Sequence, residues 1–168
     1  QAGALYMAWE RLFEEDVPFP LQVAFSRSID GGATWSTPVR IDKTTFDMNP
    51  LLNQAFLPSV AVADNGTIGV SYYNFEYDTA GEPPSWSDHW FVHCDSAEAD
   101  CTDPMSWSDA IRLTEDSFDY LTAPVIPRGL FLGDYTGLAA LENDFVSFFP
   151  VSTGADSAHV LSVRIRAP

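Results

Sequence analysis

SIDGGATW, Ser28 to Trp35, packs a Ser, an Asp, two Gly, a Thr and a Trp into eight positions. Each residue type suits a tight turn. An Asp carboxylate accepts hydrogen bonds from turn amides, and Gly supplies positive φ without steric cost. The flanks are strand-like: LQVAFSRS runs into the turn from Leu21, and STPVRI follows Trp35. The stretch therefore reads as a hairpin connection, with Asp30 a structural residue and not a reacting one.

The chain repeats this arrangement. TWSTPVRI (Thr34 to Ile41) aligns with SWSDAIRL (Ser106 to Leu113), keeping Trp, Ser, Arg and an aliphatic residue in register. LYMAWERL (from Leu5), IGVSYYNF (from Ile68) and FVSFFPVS (from Phe145) are apolar, aromatic runs of strand length. Each is followed by a polar loop and a second strand: LQVAFSRS, HWFVHCDS (from His89) and HVLSVRIR (from His159). Two of the three are preceded by another strand, FLPSVAVA (from Phe56) and GDYTGLAAL (from Gly133). Asn65-Gly66 joins two of these strands and is a strong tight-hairpin signal. Asn65-Gly66-Thr67 is also a glycosylation sequon, but the turn accounts for it without a sugar.

A fixed unit of four antiparallel strands repeated along a chain is the blade of a β-propeller. The expected fold is all-β, with blade 1 at about 1–43, blade 2 at about 55–114 and blade 3 at about 131–168. Blade 1 lacks its first strand and blade 3 its last. Three blades do not close a ring, and open blade sides leave exposed edges. The remaining blades are expected from a longer polypeptide or from partner chains. The start at Gln1 is read as the result of processing, truncation or excision from something longer.

The pattern S-x-D-x-G-x-T-W resembles the Asp-box of the bacterial-neuraminidase-repeat (BNR), or sialidase-like, propellers. Ser28, Asp30, Gly32, Thr34 and Trp35 all match it. The resemblance implies a six-bladed propeller; that this is its C-terminal half rests on the likeness of GDYTGLAAL, from Gly133, to a strand of a late blade. It also implies a hairpin between a blade's third and fourth strands, with the Trp plugged between blades. Blade 2 departs from the pattern: it reads CDSAEADCTDPMSW and keeps only Ser106 and Trp107. No box is visible in blade 3.

In the family the Asp-boxes occupy one rim and the active centre the other. The second rim would carry the segments from Glu10, Asp42, Glu76, Thr114 and Ser152. These are rich in carboxylates and aromatics, which suit sugar recognition. Tyr77 and Trp86 are candidates for stacking on a sugar face; otherwise both simply cover the blade top. GDYTGLAAL is similar to the strand that carries the catalytic Tyr of sialidases, with Tyr135, Thr136, Leu138 and Leu141 matching. The resemblance then implies Tyr135 as nucleophile, Glu10 as the carboxylate that activates it, and Asp134 beside them. Arg11 and Arg128 are the candidate clamps for a substrate carboxylate. A full arginine triad is absent, and the acid/base Asp of the family would lie in an early blade outside this chain.

The implied function is a secreted, sialidase-like exo-glycosidase, or part of one, acting on a glycan or sialoside. The alternative is a non-catalytic propeller that binds glycan or protein, or a structural subunit completed by partner chains.

Composition limits other readings. Eight Lys and Arg against 24 Asp and Glu give a net charge of −16, which argues against a nucleic-acid partner. No apolar run reaches the length of a membrane span. No cofactor is implied; acidic surfaces attract Ca²⁺, but no calcium-loop motif is present. Cys94 and Cys101 lie close enough for a local disulfide, against the alternative of two reduced thiols, and are too few for a zinc site. A disulfide would place the protein in an oxidising compartment: secreted, periplasmic or at the cell surface. His89 and His93 sit four apart on a strand, about 13 Å, too far to share one ion. No nucleophile elbow, phosphate loop or dinucleotide fingerprint occurs.

Overall fold

Short runs of apolar and aromatic residues form most of the strands here. The computed structural model describes residues 3–13, 21–45, 50–78, 86–127, 129–133, 135–154 and 158–166. Strands β1 (Leu5–Arg11), β2 (Gln22–Ser28) and β3 (Val39–Arg40) form a first antiparallel sheet in the order β1-β2-β3. A middle sheet runs β4 (Ala55–Val62), β5 (Thr67–Asn74), β6 (Trp86–Asp95) and β7 (Ile111–Arg112). Strand β8 (Phe118–Asp119) pairs with the start of β6. A small hairpin, β9 (Val125–Ile126) and β10 (Gly129–Leu130), precedes the last sheet. That sheet orders β11 (Gly137–Leu141), β12 (Asp144–Val151) and β13 (His159–Ile165). Among the described residues there are short 3-10 turns and no α-helix.

The middle sheet is covered on both faces, and that determines its composition. Every residue of β5 is buried. On one face Ile68, Val70, Tyr72, Trp90 and Val92 pack with Val23 and Phe25 of the first sheet. On the other, Tyr73 and Phe91 pack with Phe145 and Phe149 of the last sheet. A strand buried on both sides reads as a continuous apolar run and not as an alternating one.

His89 lies inside the second of these layers. It is fully buried, stacks on Phe149 at 4.1 Å between centroids, and its Nε2 is 3.1 Å from Ser147 Oγ. Burial pulls its pKa down from 6.5 to about 3. The unfolded chain therefore binds a proton that the folded chain refuses, so stability falls as pH drops below about 6.5 and levels off near 3. Between pH 7.5 and 5 this single group is expected to remove about 2 kcal/mol. Thermal melts across that range should show the loss, and His89→Asn should flatten it.

Two equivalent loops are tied by different chemistry. Ala24 pairs with Arg40 and Trp90 with Arg112, which makes Ser28 and Cys94 equivalent, each four residues further along its strand. After Ser28, the Asp30 carboxylate accepts from Thr34 N at 2.9 Å, Thr34 Oγ1 at 2.6 Å and Ser28 Oγ at 2.8 Å. Ser28 Oγ in turn accepts from Gly32 N at 2.8 Å, and Gly31 and Gly32 both have positive φ. The Thr34 hydroxyl and amide, with Ser28, hold the Asp30 pKa at about 2. Its contribution to stability is full above the ordinary carboxylate range and is lost as pH falls through 2. In the middle sheet, a Cys94–Cys101 disulfide closes the corresponding loop.

The two loop tryptophans differ in surroundings. Trp107 is 4% exposed, lies edge-on to Phe25 at 4.9 Å, and donates from Nε1 to Cys101 O at 3.0 Å. Trp35 is 39% exposed. The resemblance implies a plugged Trp35, yet no described sheet covers that side of the first sheet.

Candidate functional site

The candidates are organised in part around β4, an edge strand of the middle sheet. β4 packs against both β1 and β11. Its ladder with β5 slips between Phe56 and Ser59, and Leu57 in the slip has a φ of 51°. A branched residue with positive φ is strained and needs fixed partners. Glu10 supplies one: its Oε1 accepts from Leu57 N at 2.8 Å. Two residues further along, Ser59 Oγ lies 3.2 Å from Thr136 Oγ1. The loop that carries Tyr135 is thereby tied to the same bulge. Bulges of this kind re-aim side chains and are common beside active sites.

The structure thus brings Glu10 and Thr136, the residue after Tyr135, to one short stretch of β4. No hydrogen bond joins Glu10 to Tyr135. One Glu10 oxygen is engaged by the backbone, and Tyr135 is 84% exposed. Tyr135 precedes β11 by two residues and so stands at the strand's mouth, outside its ladder. Arg11 ends β1 and holds its guanidinium 5.3 Å from the Phe13 ring centroid. Arg128 and Asp134 lie outside the described residues.

The aromatic candidates occupy a second cluster. Tyr77 is half-exposed, its ring 5.6 Å from Trp90 and 5.0 Å from the Arg112 guanidinium. Trp86 belongs to β6, where it pairs with Asp119, and is also partly exposed. The loop expected from Glu76 to Asp88 is therefore shorter than its sequence suggests. The distant pairing with β8 extends β6 backwards over Trp86 and Ser87.

One charged group was not anticipated as part of this cluster. Asp88 is fully buried and saturated: Arg112 Nε at 2.8 Å and Thr114 Oγ1 at 2.6 Å donate to Oδ1, and Ser117 Oγ at 2.8 Å donates to Oδ2. A carboxylate removed from water requires such a shell. The first sheet has a counterpart: Asp42, also buried, accepts from Val23 N at 2.9 Å and pairs with Arg40 at 2.9 Å. The signal was in the repeat, since Arg40 and Arg112 occupy the same position of VRID and IRLT. Both arginines are committed to these buried acids. Asn74 Nδ2 joins the two sheets at this rim, donating to Thr44 Oγ1 at 3.1 Å and to Glu76 Oε2 at 3.2 Å.

Chemically, the candidates comprise an exposed phenol, a carboxylate bonded to the β4 backbone, and two partly exposed aromatic rings in the second cluster. No cluster of three or more His, Cys, Asp or Glu suited to a metal ion occurs among the described residues. No helix among them is long and apolar enough to cross a membrane.

No protein-family model matches the chain, and no curated protein does. Among solved structures it is similar to one titled Hadza microbial sialidase Hz136, with a TM-score of 0.60 and 18% identity. The match covers 96% of this chain and 32% of that one, so the chain spans about a third of its length. The chain accordingly has a sialidase-like, all-β fold of several antiparallel sheets.

Proposed function

We propose that the chain is part of a sialidase-type exo-glycosidase, a glycoside hydrolase that removes a terminal sugar acid from a glycan. Its three sheets, at about 1–43, 55–114 and 131–168, are blades of a β-propeller, and SIDGGATW is its structural Asp-box. The observation that supports this reading most is the convergence of Glu10 and the Tyr135 loop on the bulge of β4, in a fold similar to that of a microbial sialidase.

In this reading the Tyr135 oxygen attacks the anomeric carbon as the bond from that carbon to the aglycone oxygen breaks; Glu10 takes the phenolic proton, and the aglycone leaves as its alcohol, protonated by an acid that the rest of the assembly supplies. A neutral nucleophile avoids repulsion by the substrate carboxylate. Water, giving a proton to that same outside group, then adds to the anomeric carbon and releases the Tyr135 oxygen, which regains its proton from Glu10. Asp134 polarises the strand mouth, Arg11 and Arg128 attract the substrate carboxylate, and Tyr77 and Trp86 face the sugar. The disulfide fits a secreted or cell-surface protein.

The test is release of fluorescent coumarin from a sialoside by the complete assembly that contains this chain. Tyr135→Phe is expected to abolish release with an unchanged far-UV circular dichroism spectrum. Release that survives Tyr135→Phe overturns the assignment. One observation favours the second reading, a glycan- or protein-binding propeller without catalysis: a Glu10 oxygen is already engaged by the Leu57 amide. Glycan-array binding without hydrolysis by the wild-type assembly would establish that reading instead.

A further inference from the structure

The turn between β4 and β5 carries a reactive pair of residues. Asn65 is exposed, and Gly66 follows it. A side-chain amide beside a glycine can react with its own backbone. The Gly66 nitrogen attacks the Asn65 Cγ carbon, because glycine has no Cβ to block the approach. Ammonia leaves, taking up the Gly66 amide proton, and a cyclic imide remains. Water then adds to one of the two imide carbonyl carbons, and the bond from that carbon to the ring nitrogen breaks. Opening on one side gives aspartate. Opening on the other gives isoaspartate, in which the main chain runs through the former side chain. No enzyme, cofactor or oxidant is required.

The other asparagines are less suited. Asn49 precedes Pro50, whose nitrogen carries no proton. Asn53, Asn74 and Asn143 precede Gln54, Phe75 and Asp144, each with a side chain in the way. Asn53 and Asn74 are also buried.

In the folded hairpin both reacting groups are engaged elsewhere. The Gly66 amide donates to Ala63 O at 2.9 Å, and Asn65 Oδ1 accepts from Thr67 N at 3.0 Å. Ala63 N donates to Thr67 O at 2.9 Å and closes the turn, with Gly66 at a φ of 91°. The turn is also fastened from outside. Ser96 Oγ donates to Gly66 O at 2.7 Å, and Asp64 N donates to Glu142 O at 2.9 Å. Ser96 lies in the loop closed by the disulfide, and Glu142 at the tip of the β11–β12 hairpin. The turn is therefore where the middle sheet, the disulfide loop and the last sheet are bonded together.

We propose that Asn65 is a site of spontaneous deamidation and that the reaction proceeds only when the β4–β5 turn opens. An amide bonded in a turn reacts in proportion to the population in which that bond is broken. The aspartate product keeps an oxygen for Thr67 N and returns to the same turn. The isoaspartate product lengthens the main chain inside a turn whose closing bonds span Ala63 to Thr67. It cannot restore those bonds together with the ones to Ser96 and Glu142, so the last sheet loses a tie to the middle one. The inference does not depend on the glycosidase reading and holds equally for a binding protein.

The experiment incubates the 168-residue chain in mildly alkaline buffer, either folded or unfolded in guanidinium chloride. Digestion and mass spectrometry then follow the peptide that contains Asn65. The unfolded chain is expected to convert Asn65 to a mixture of aspartate and isoaspartate, and the folded chain to do so at least about tenfold more slowly. Ser96→Ala removes one fastening bond without touching the reacting atoms. It should speed the folded-state reaction about fivefold and leave the unfolded rate unchanged. Should that variant fail to fold, hydrogen exchange of the wild-type Gly66 amide reports the same opening. It should rise in step with the folded-state reaction as denaturant is added. Asn65→Asp should melt with the wild type, whereas the isoaspartate fraction, isolated and refolded, should melt lower. Equal rates in the folded and unfolded chains overturn the proposal. So do earlier conversion of another asparagine, an unchanged folded-state rate in Ser96→Ala, and an isoaspartate fraction that melts with the wild type.

Discussion

Trp107→Ala is expected to cost about 3–5 kcal/mol of stability. Its ring fills the layer between the first and middle sheets, edge-on to Phe25 and within reach of the disulfide loop. The change opens a cavity bounded by strands from two sheets and by a covalently closed loop, so the surroundings collapse poorly. It also leaves the Cys101 carbonyl without its indole donor. Trp35 occupies the equivalent loop position yet is partly in water, and Trp35→Ala in the isolated, single chain should cost well under half as much. Denaturant melts of both variants give the comparison. Equal costs would mean that the two sites are equally packed, contrary to their exposures.

Gly69→Ala should be the most damaging addition of a single methyl group. A Cβ built at Gly69 comes within 2.7 Å of Phe145 and 2.7 Å of Phe91. Both rings are fully buried, one on the neighbouring sheet and one on the paired strand. Neither is the free end of a flexible chain. The substitution must therefore push the last sheet away from the middle one, and overpacking of this kind costs about 1–3 kcal/mol. Gly137 offers a control, because nothing lies within 4 Å of a Cβ there. Thermal unfolding of both alanine variants should show a large shift at 69 and a small one at 137.

The strands were legible because their signal is local. The expected runs starting at Leu5, Leu21, Ile68 and Phe145 each fall within a residue of an observed strand end. The disulfide was legible because its two Cys are only seven positions apart. What escaped depends on distant partners. Trp86 reads as loop until Asp119 pairs with it. Leu57 reads as ordinary strand; its slip and positive φ depend on a carboxylate 47 positions earlier. The strand expected from Gly133 begins only at Gly137, which leaves Tyr135 in the open loop before it. Asp88 is marked in sequence only indirectly, through the repeat position of Arg112, because its shell is drawn from Arg112, Thr114 and Ser117, more than 20 residues away. The candidates were thus visible as a set of residue types, while the strand bulge that holds Glu10 and Thr136 was not.

The sulfurs of the loop closure sit in side chains that are almost wholly sequestered, Cys94 at 1% and Cys101 at 0% exposed. Thiol–disulfide exchange needs an attacking thiolate to reach a sulfur. A reductant in solution therefore has to wait for the layer between the first two sheets to open. The bond then acts as a clock: its half-life in dithiothreitol measures how often that layer breathes, and any ligand or partner that holds the sheets together would slow it.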